Sequence, residues 1–295
     1  MPQATDVERG VQQSPRGGGA TLLGFFLLTF AIAWGAWAAA AALSAPRAAG
    51  LSVLRGPVFL FGVFAPAIAA LALTARADGR AGAWTLLRHI GRWRVGVGWY
   101  LFAAGYMAAT KLAVALIHRL ATGAWPRFGE TPWAMMAIAL LVSTWVQAGE
   151  EVGWRGYALP RLARHIGLAP ASILLGVIWA SWHLPLFFAP ESDMFGQSFP
   201  VYLLQVTAVS VAMAWLYWRT GRSLLLVMLM HAAVNNTKDI VPSVVQGASN
   251  PLSLSGSPVA WLTVGLLWMG AVYFLFRMRA AELGKDISRE DPRGC

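Results

Sequence analysis

The chain has 295 residues, of which 57% are hydrophobic and only 12% are charged, and its formal net charge is +10. Soluble globular domains carry about 25% charged residues, so this composition excludes that class and predicts an integral membrane protein. The basic residues lie between apolar segments and form no run interleaved with aromatic residues. We therefore expect a lipid bilayer around the chain and no nucleic-acid partner.

Eight apolar segments predict an all-α, polytopic membrane fold of about eight transmembrane helices. The polar stretch 1–20 contains Gly and Pro and is predicted to be a disordered tail. The transmembrane helical domain is predicted over 21–277, and 278–295 is predicted to be a cytoplasmic tail. Segment 223–237 is shorter than the about 17–25 residues that a span needs, so its boundaries stay open. The segments lie near 22–43, 57–75, 96–118, 133–152, 171–189, 199–217, 223–237 and 257–276.

The distribution of Lys and Arg predicts the orientation of these helices. Loops on the same side as the N-terminus hold most of the Lys and Arg residues, and cytoplasmic loops are enriched in both. We therefore predict cytoplasmic N- and C-termini in a multi-pass protein of the cell membrane. The Ala-, Gly- and Arg-rich composition indicates a bacterial inner or plasma membrane. Within loop 153–170, apolar residues at 159, 162 and 166 predict a short amphipathic helix along the cytoplasmic interface.

Two adjacent acids stand at the end of the fourth segment, after a long uncharged run. If the helix continues, Glu151 and Arg155 are four residues apart on one face, in the favourable order for an ion pair. Glu150 points about 100° away around the helix and has no local partner, so we expect it to face an interior cavity. The alternative is that both acids are solvated at the interface.

Three further polar residues lie within the next apolar segments. His183 is in the fifth segment and is followed by Pro185, which is expected to kink that helix. His231 and Asn235 are one helical turn apart in the seventh segment and share a face. Taken singly, each fits a structural alternative: a packed histidine bonded to a neighbour, or an interhelical hydrogen-bond clamp.

Helix direction brings these motifs to similar depths in the bilayer. Consecutive spans alternate in direction, so Glu150, His183 and His231 are predicted to converge on a catalytic cavity that opens toward the cytoplasmic half. An ionisable group at membrane depth costs about 2.5–3.5 kcal/mol on insertion scales, and such groups are usually functional. The convergence favours a shared site over three independent structural roles.

These residues resemble the motif set of the CAAX prenyl endopeptidase family, also called CPBP, which includes bacterial immunity and abortive-infection proteins. The resemblance covers roughly residues 130–240. The matching residues are Glu150, Glu151 and Arg155, then His183, then His231 and Asn235. The family usually has Phe four residues before the first histidine, where this chain has Trp179. An aromatic residue is retained, so we expect packing rather than chemistry to differ.

The resemblance implies an intramembrane endopeptidase with Glu150 as general base and His183, His231 and Asn235 completing the site. Glu150 would activate a water molecule to hydrolyse a peptide bond of a membrane-associated protein or peptide substrate, and a histidine would orient the water or protonate the leaving amine. Asn235 would stabilise the oxyanion. His183 and His231 could also hold zinc with an open position, and the family is commonly filed with metalloproteases, so zinc is a candidate cofactor. The usual His-Glu-x-x-His zinc motif is absent from the sequence.

Two other functional classes stay open on the sequence. A catalytically silent immunity or abortive-infection membrane protein would keep the fold without turnover. A proton-coupled transporter would also keep Glu and His inside the membrane. Such a transporter is expected to show Gly- or Pro-interrupted segments in two repeated halves, whereas the polar groups here crowd into segments four to seven.

Overall fold

The structure, a computed structural model, is helical throughout, and no β-strand occurs in the part of the chain that it describes. That part comprises residues 18–44, 46–129, 132–241 and 250–290. The α-helices are α1 (Gly18–Ala42), α2 (Arg55–Val63), α3 (Ala65–Leu87), α4 (Val97–Thr122), α5 (Met136–Val146), α6 (Ala148–Glu151), α7 (Leu159–Ile166), α8 (Leu168–Trp182), α9 (Phe199–Arg219), α10 (Leu224–Ile240) and α11 (Pro258–Glu290). A π-helix joins α6 to α7, and the remaining short turns are 3₁₀-helical. The predicted all-α fold is confirmed, whereas the tail predicted at 1–20 lies outside the described residues as far as residue 17.

Five of the described helices are long and apolar enough to cross a membrane. A sixth span results if α2 and α3, which meet at a bend of 52°, cross together as one broken helix. The chain is thus a multi-pass membrane protein, but the predicted count of eight spans is not confirmed. Two segments account for the difference, because α10 has only 17 residues and the segment predicted at 133–152 is divided. At the other end of the chain, α11 continues past residue 277 to Glu290, although its apolar part ends at Ala280.

The fourth segment is a succession of helical pieces rather than one regular helix. A break at Gln147 separates α5 from α6, and the π-helix Val152–Ala158 follows before α7 begins. The helical backbone therefore runs on to Ile166, and Glu150 and Glu151 lie near the middle of this run. The short amphipathic helix predicted beyond the acids is confirmed as α7. Short π-helical segments inside α-helices are rare and occur frequently at functional sites.

Two glycines one turn apart allow α3 to pack directly against this helix. A Cβ added at Gly149 would lie 2.9 Å from the ring of Phe64, and one at Gly153 would lie 2.6 Å from the carbonyl oxygen of Pro66. Small residues at such spacing let helix backbones approach closely in membranes. The bend between α2 and α3 is thus seated against the two turns that carry the adjacent acids.

We expect Gly153→Ala to destabilise the protein by about 1–3 kcal/mol, because the Pro66 backbone cannot move aside without shifting α3. Gly105→Ala in α4 is the matched control, since no atom lies within 4 Å of a Cβ at that position. Alanine loses less conformational freedom than glycine when a helix folds. The control variant should therefore be as stable as the parent or about 0.5–1 kcal/mol more stable. Thermal unfolding in one detergent measures both, and equal transition temperatures would contradict the close packing.

The helices that follow form the wall opposite α3. Gly176 on α8 brings α9 close, since a Cβ there would lie 2.7 Å from the Cα of Thr207. The Ser210 hydroxyl on α9 donates to the Ser172 carbonyl oxygen at 3.0 Å. Behind them, α9 also packs against α10 and α11, and α10 packs against α4, α5 and α6. The three helices that bear the predicted site, α6, α8 and α10, therefore lie within one bundle.

Candidate active site

Trp179 on α8 connects the three groups that the sequence predicted to converge. Its indole Nε1 donates a hydrogen bond to Glu150 Oε2 at 2.7 Å. Its carbonyl oxygen accepts a hydrogen bond from His183 Nδ1 at 2.9 Å. The ring centroid of His231 lies 5.0 Å from the Trp179 ring centroid in an edge-to-face arrangement. The predicted convergence of Glu150, His183 and His231 is thus present in the structure, with one tryptophan at its centre.

Glu150 is the acid without a basic partner. Its side chain is only 5% exposed, and its Oε1 atom has no hydrogen-bond partner among the described residues. Glu150 lies close enough to His183 and to the Tyr202 hydroxyl for its charge to act on both groups. A buried carboxylate with one fixed oxygen and one unbonded oxygen is suited to accept a proton from a bound molecule.

Glu151, by contrast, is fully occupied by protein contacts. It accepts two hydrogen bonds from Arg155 Nη1, at 2.8 and 3.0 Å, and one from His231 Nδ1 at 2.8 Å. Both members of the Glu151–Arg155 ion pair are completely buried. The Arg155 guanidinium also lies 4.2 Å above the Trp179 ring centroid, a cation–π distance. The i,i+4 ion pair predicted from the sequence is confirmed, and it fixes the ring of His231.

His183 lies where α8 ends. The helix stops at Trp182, and Pro185 falls in the 3₁₀ turn that follows, so the predicted interruption is present. A carbonyl oxygen can only accept, so His183 Nδ1 carries the hydrogen and Nε2 is the atom left to act on a ligand. The ring packs edge-to-face on Trp182 and Tyr202, at centroid distances of 4.7 and 5.6 Å. These aromatic contacts hold the imidazole in one orientation.

Asn235 is less closely tied to the other groups. It lies on α10 one turn beyond His231, as predicted, but its side chain is exposed. Within the described residues it forms no hydrogen bond with Glu150, His183 or His231. Its neighbour Asn236 instead donates to the Ala232 carbonyl oxygen at 2.8 Å, as an intrahelical bond.

Comparison with known proteins bears directly on this arrangement. Residues 129–237 match the family described as type II CAAX prenyl endopeptidase Rce1-like. The curated relative CAAX prenyl protease 2 of Methanococcus maripaludis is 30% identical over 113 residues, which cover 36% of this chain and 40% of that protein. The motif-bearing segment is thus similar to the CAAX prenyl endopeptidase family. All six motif residues of this chain fall within the part that matches the family, and the chain spans about 40% of the length of the curated relative that it matches.

Trp179 corrects one expectation from the sequence. We expected the tryptophan to alter packing alone, relative to the phenylalanine usual at that position. Its indole N–H instead donates to Glu150, and a phenylalanine has no hydrogen-bond donor to offer. The spacing of four residues before His183 was the available signal, because it places both side chains on one face of α8. Tyr202 is a second residue that the sequence did not single out, and only the packing of α9 against α8 places it beside His183.

The side chains of this site can be compared with those that usually bind zinc. Among the described residues, no three His, Cys, Asp or Glu side chains gather closely enough to hold one metal ion. Catalytic zinc sites usually take three protein ligands. Here Glu151 already accepts hydrogen bonds from Arg155 and His231. Glu150 accepts one from Trp179. The donor set does not fit a three-ligand zinc site. Zinc held by His183 and His231 stays a prediction, and the proposed hydrolysis is carried out by side chains alone.

Proposed function

We propose that this chain is a CAAX-type intramembrane endopeptidase that hydrolyses a peptide bond of a membrane-associated protein or peptide. The similarity of residues 129–237 to the CAAX prenyl endopeptidase family supports the reaction class. The observation that carries the proposal is the state of Glu150, a buried acid without a basic partner, held by Trp179 beside His183. Structural carboxylates are normally paired when they are buried, as Glu151 is, so an unpaired one indicates chemistry.

The reaction begins with a water molecule at the free oxygen of Glu150. Glu150 takes one proton as the water oxygen bonds to the peptide carbonyl carbon, which gives a tetrahedral intermediate. The carboxylic acid then passes this proton to the amide nitrogen, and the carbon–nitrogen bond breaks to leave a carboxylate and an amine. His183, through Nε2, orients the water or donates to the leaving nitrogen. One carboxylate thus serves as base and then as acid, and no covalent intermediate forms with the protein.

The remaining motif residues support this centre in different ways. Glu151 and Arg155 hold His231 so that its Nε2 is the free ring nitrogen, and His231 in turn packs against Trp179. Asn235 is proposed to donate to the oxyanion, a role in which loss of one donor costs about 10²–10³ in rate. Its exposed amide is suited to meeting a substrate that enters from outside the packed core. The cavity is proposed to open toward a cytoplasmic half, in a bacterial membrane with both termini inside.

The experiment that tests the proposal uses the purified chain in liposomes. A reporter protein with a membrane-anchored, CAAX-type C-terminal segment should be cut at a single peptide bond, detected by mass spectrometry of the released fragment. Proton and solute movement is followed in the same vesicles. Proton-coupled transport without cleavage would instead show that the chain is a transporter. The absence of both cleavage and transport would favour a catalytically silent immunity-type protein.

Trp179 is proposed as a positioning residue for Glu150, and its role can be separated from packing. Trp179→Phe keeps most of the ring and removes only the indole N–H, so we expect kcat to fall about tenfold or more with KM little changed. A hydrogen bond to a charged group contributes about 1.5–3 kcal/mol, and its loss leaves the carboxylate free to turn away.

Trp154→Phe is the matched control for this substitution. Trp154 lies in the π-helix and is completely buried, but its indole N–H has no hydrogen-bond partner among the described residues. The control variant therefore loses ring volume without losing a bond to the proposed base. If both variants lower kcat equally at similar unfolding temperatures, packing explains the effect and the positioning role of the indole N–H is wrong.

A further inference from the structure

A second polar pocket lies away from the Trp179 site, between α3, the residues that follow it, and α7. Its volume is about 260 Å³, several times the about 30 Å³ that one water molecule occupies in the liquid. It has room for a small polar group rather than for a single water. The lining residues are Thr74, Asp78, Gly82, Thr85, Leu86, His89 and Arg161.

Two glycines of α3 shape this pocket. Gly79 has φ of 67° and ψ of −171°, a backbone conformation that is essentially restricted to glycine, and it interrupts the helix there. A Cβ added at Gly82, one turn after Asp78, would lie only 2.4 Å from the Cβ of Asp78, so the absence of a side chain there lets the two turns approach closely. The backbone at these two glycines therefore helps to set the shape of the pocket.

The pocket presents two opposite charges that do not neutralise each other. Arg161 is held in place, because its Nη1 donates to the Tyr157 carbonyl oxygen at 3.0 Å and its guanidinium lies 3.5 Å from the Tyr157 ring centroid. Asp78 influences both Arg161 and Tyr157 electrostatically, yet within the described residues neither Asp78 nor Arg161 forms an ion pair. Two charges of opposite sign that are not paired with each other are complementary to a zwitterion.

Uncharged hydrogen-bonding groups complete the lining. The Thr74 hydroxyl is buried and has no partner among the described residues. His89 Nδ1 faces the Leu86 carbonyl oxygen at 3.3 Å, which leaves Nε2 as the free ring nitrogen. Burial lowers the pKa of His89, with the positive charges of Arg92 and Arg222 acting in the same direction, so the ring is neutral near pH 7 and Nε2 accepts hydrogen bonds.

Two exposed tryptophans lie close in sequence to the lining of the pocket. Trp84 is on α3 between Gly82 and Thr85, Trp93 follows His89, and they are 65% and 58% exposed. Exposed tryptophans at the ends of membrane helices are typical of the interface between hydrocarbon and water. Three exposed arginines close in sequence to the lining residues, Arg76, Arg80 and Arg88, add positive charge that would attract a phosphate group.

We propose that this pocket binds a phosphate ester that carries a primary ammonium group, supplied by the headgroup of phosphatidylethanolamine. The phosphate meets the free N–H groups of Arg161, which suit planar recognition of phosphate oxygens. The ammonium donates to the Asp78 carboxylate and to His89 Nε2. A purely anionic headgroup would place its charge against Asp78, and a quaternary ammonium has no N–H to donate, so the pocket selects against both.

Native mass spectrometry of the purified chain in detergent tests this proposal, with phosphatidylethanolamine, phosphatidylglycerol and phosphatidylcholine as probes. We expect phosphatidylethanolamine to bind about tenfold more tightly than the other two, the ratio expected for one charge-assisted hydrogen-bond set. Asp78→Asn should remove the preference over phosphatidylglycerol, and Arg161→Gln should weaken all three lipids. Arg164→Gln on the same helix is the matched control, because Arg164 is exposed and does not line the pocket.

Three outcomes would overturn the assignment. Equal affinity of the parent chain for phosphatidylethanolamine and phosphatidylglycerol would show that Asp78 selects nothing. An effect of Arg164→Gln as large as that of Arg161→Gln would reduce the site to general surface charge. Competition by soluble phosphoethanolamine at the affinity of the lipid would identify a water-soluble ester as the ligand. Asp78 is exposed, so Asp78→Asn keeps the test decisive even if Arg161→Gln lowers the yield of folded protein.

Discussion

Replacing Glu150 by glutamine should lower the rate of peptide cleavage by about 10²–10⁴-fold, the range that a general base contributes. The glutamine carbonyl oxygen can still accept the hydrogen bond from Trp179 Nε1, so the side chain keeps its place. What the variant lacks is a group that can take a proton from water. Single-turnover cleavage of a membrane-anchored reporter measures the loss.

The fold should survive this change, because Glu150 forms no ion pair among the described residues. We expect the unfolding temperature of Glu150→Gln to equal or exceed that of the parent, since a neutral amide is less costly to bury than a carboxylate. Cleavage at the parental rate by the folded variant would remove Glu150 from the chemistry. A variant that fails to fold would contradict the expectation that the charge of Glu150 is not needed for stability.

Glu151→Gln should produce the opposite result, a loss of stability of about 3–5 kcal/mol. Breaking a buried ion pair from one side leaves the other charge uncompensated, and Arg155 is completely buried. Two of its nitrogens, Nε and Nη2, already have no acceptor among the described residues, so the arginine depends on Glu151. The variant also weakens the acceptor that holds His231 Nδ1, so cleavage by any protein that remains folded should fall as well.

An exposed ion pair of this chain provides the comparison for Glu151→Gln. Lys238 and Asp193 are paired at 3.0 Å, but their side chains are 43% and 86% exposed. Solvent screening makes such pairs worth about 0–1 kcal/mol, so Asp193→Asn should shift the unfolding temperature only slightly. If the two variants are equally stable, the buried network around Arg155 does not stabilise the site as the contacts suggest.

The sequence was sufficient to predict the helical class and the pairing of Glu151 with Arg155. Both follow from local rules, namely apolar length and i,i+4 spacing, which tertiary packing seldom overrides. The sequence also predicted the convergence of Glu150, His183 and His231, because antiparallel spans place corresponding depths side by side. These predictions needed the direction of each helix but not its rotation about its axis.

The prediction was wrong where local backbone geometry decides the outcome. The π-helix Val152–Ala158 joins the two acids to α7, and apolar periodicity carries no signal for it. The hydrogen bond from Trp179 to Glu150 depends on rotation of α8, which side-chain packing against α9 sets. Likewise, no pattern in α10 indicates that Asn235 is exposed while His231, one turn earlier, is buried.

Trp179 is proposed to hold Glu150 and His183 as one catalytic unit. The most direct test is a double-mutant cycle on the single-turnover cleavage rate, with Glu150→Gln, His183→Ala and the combined variant in identical liposomes. Residues that act as a unit lose rate non-additively, so the combined variant should be no slower than the slower single variant. If the two losses multiply in the combined variant, or if neither single variant loses rate, Glu150 and His183 do not form the proposed site.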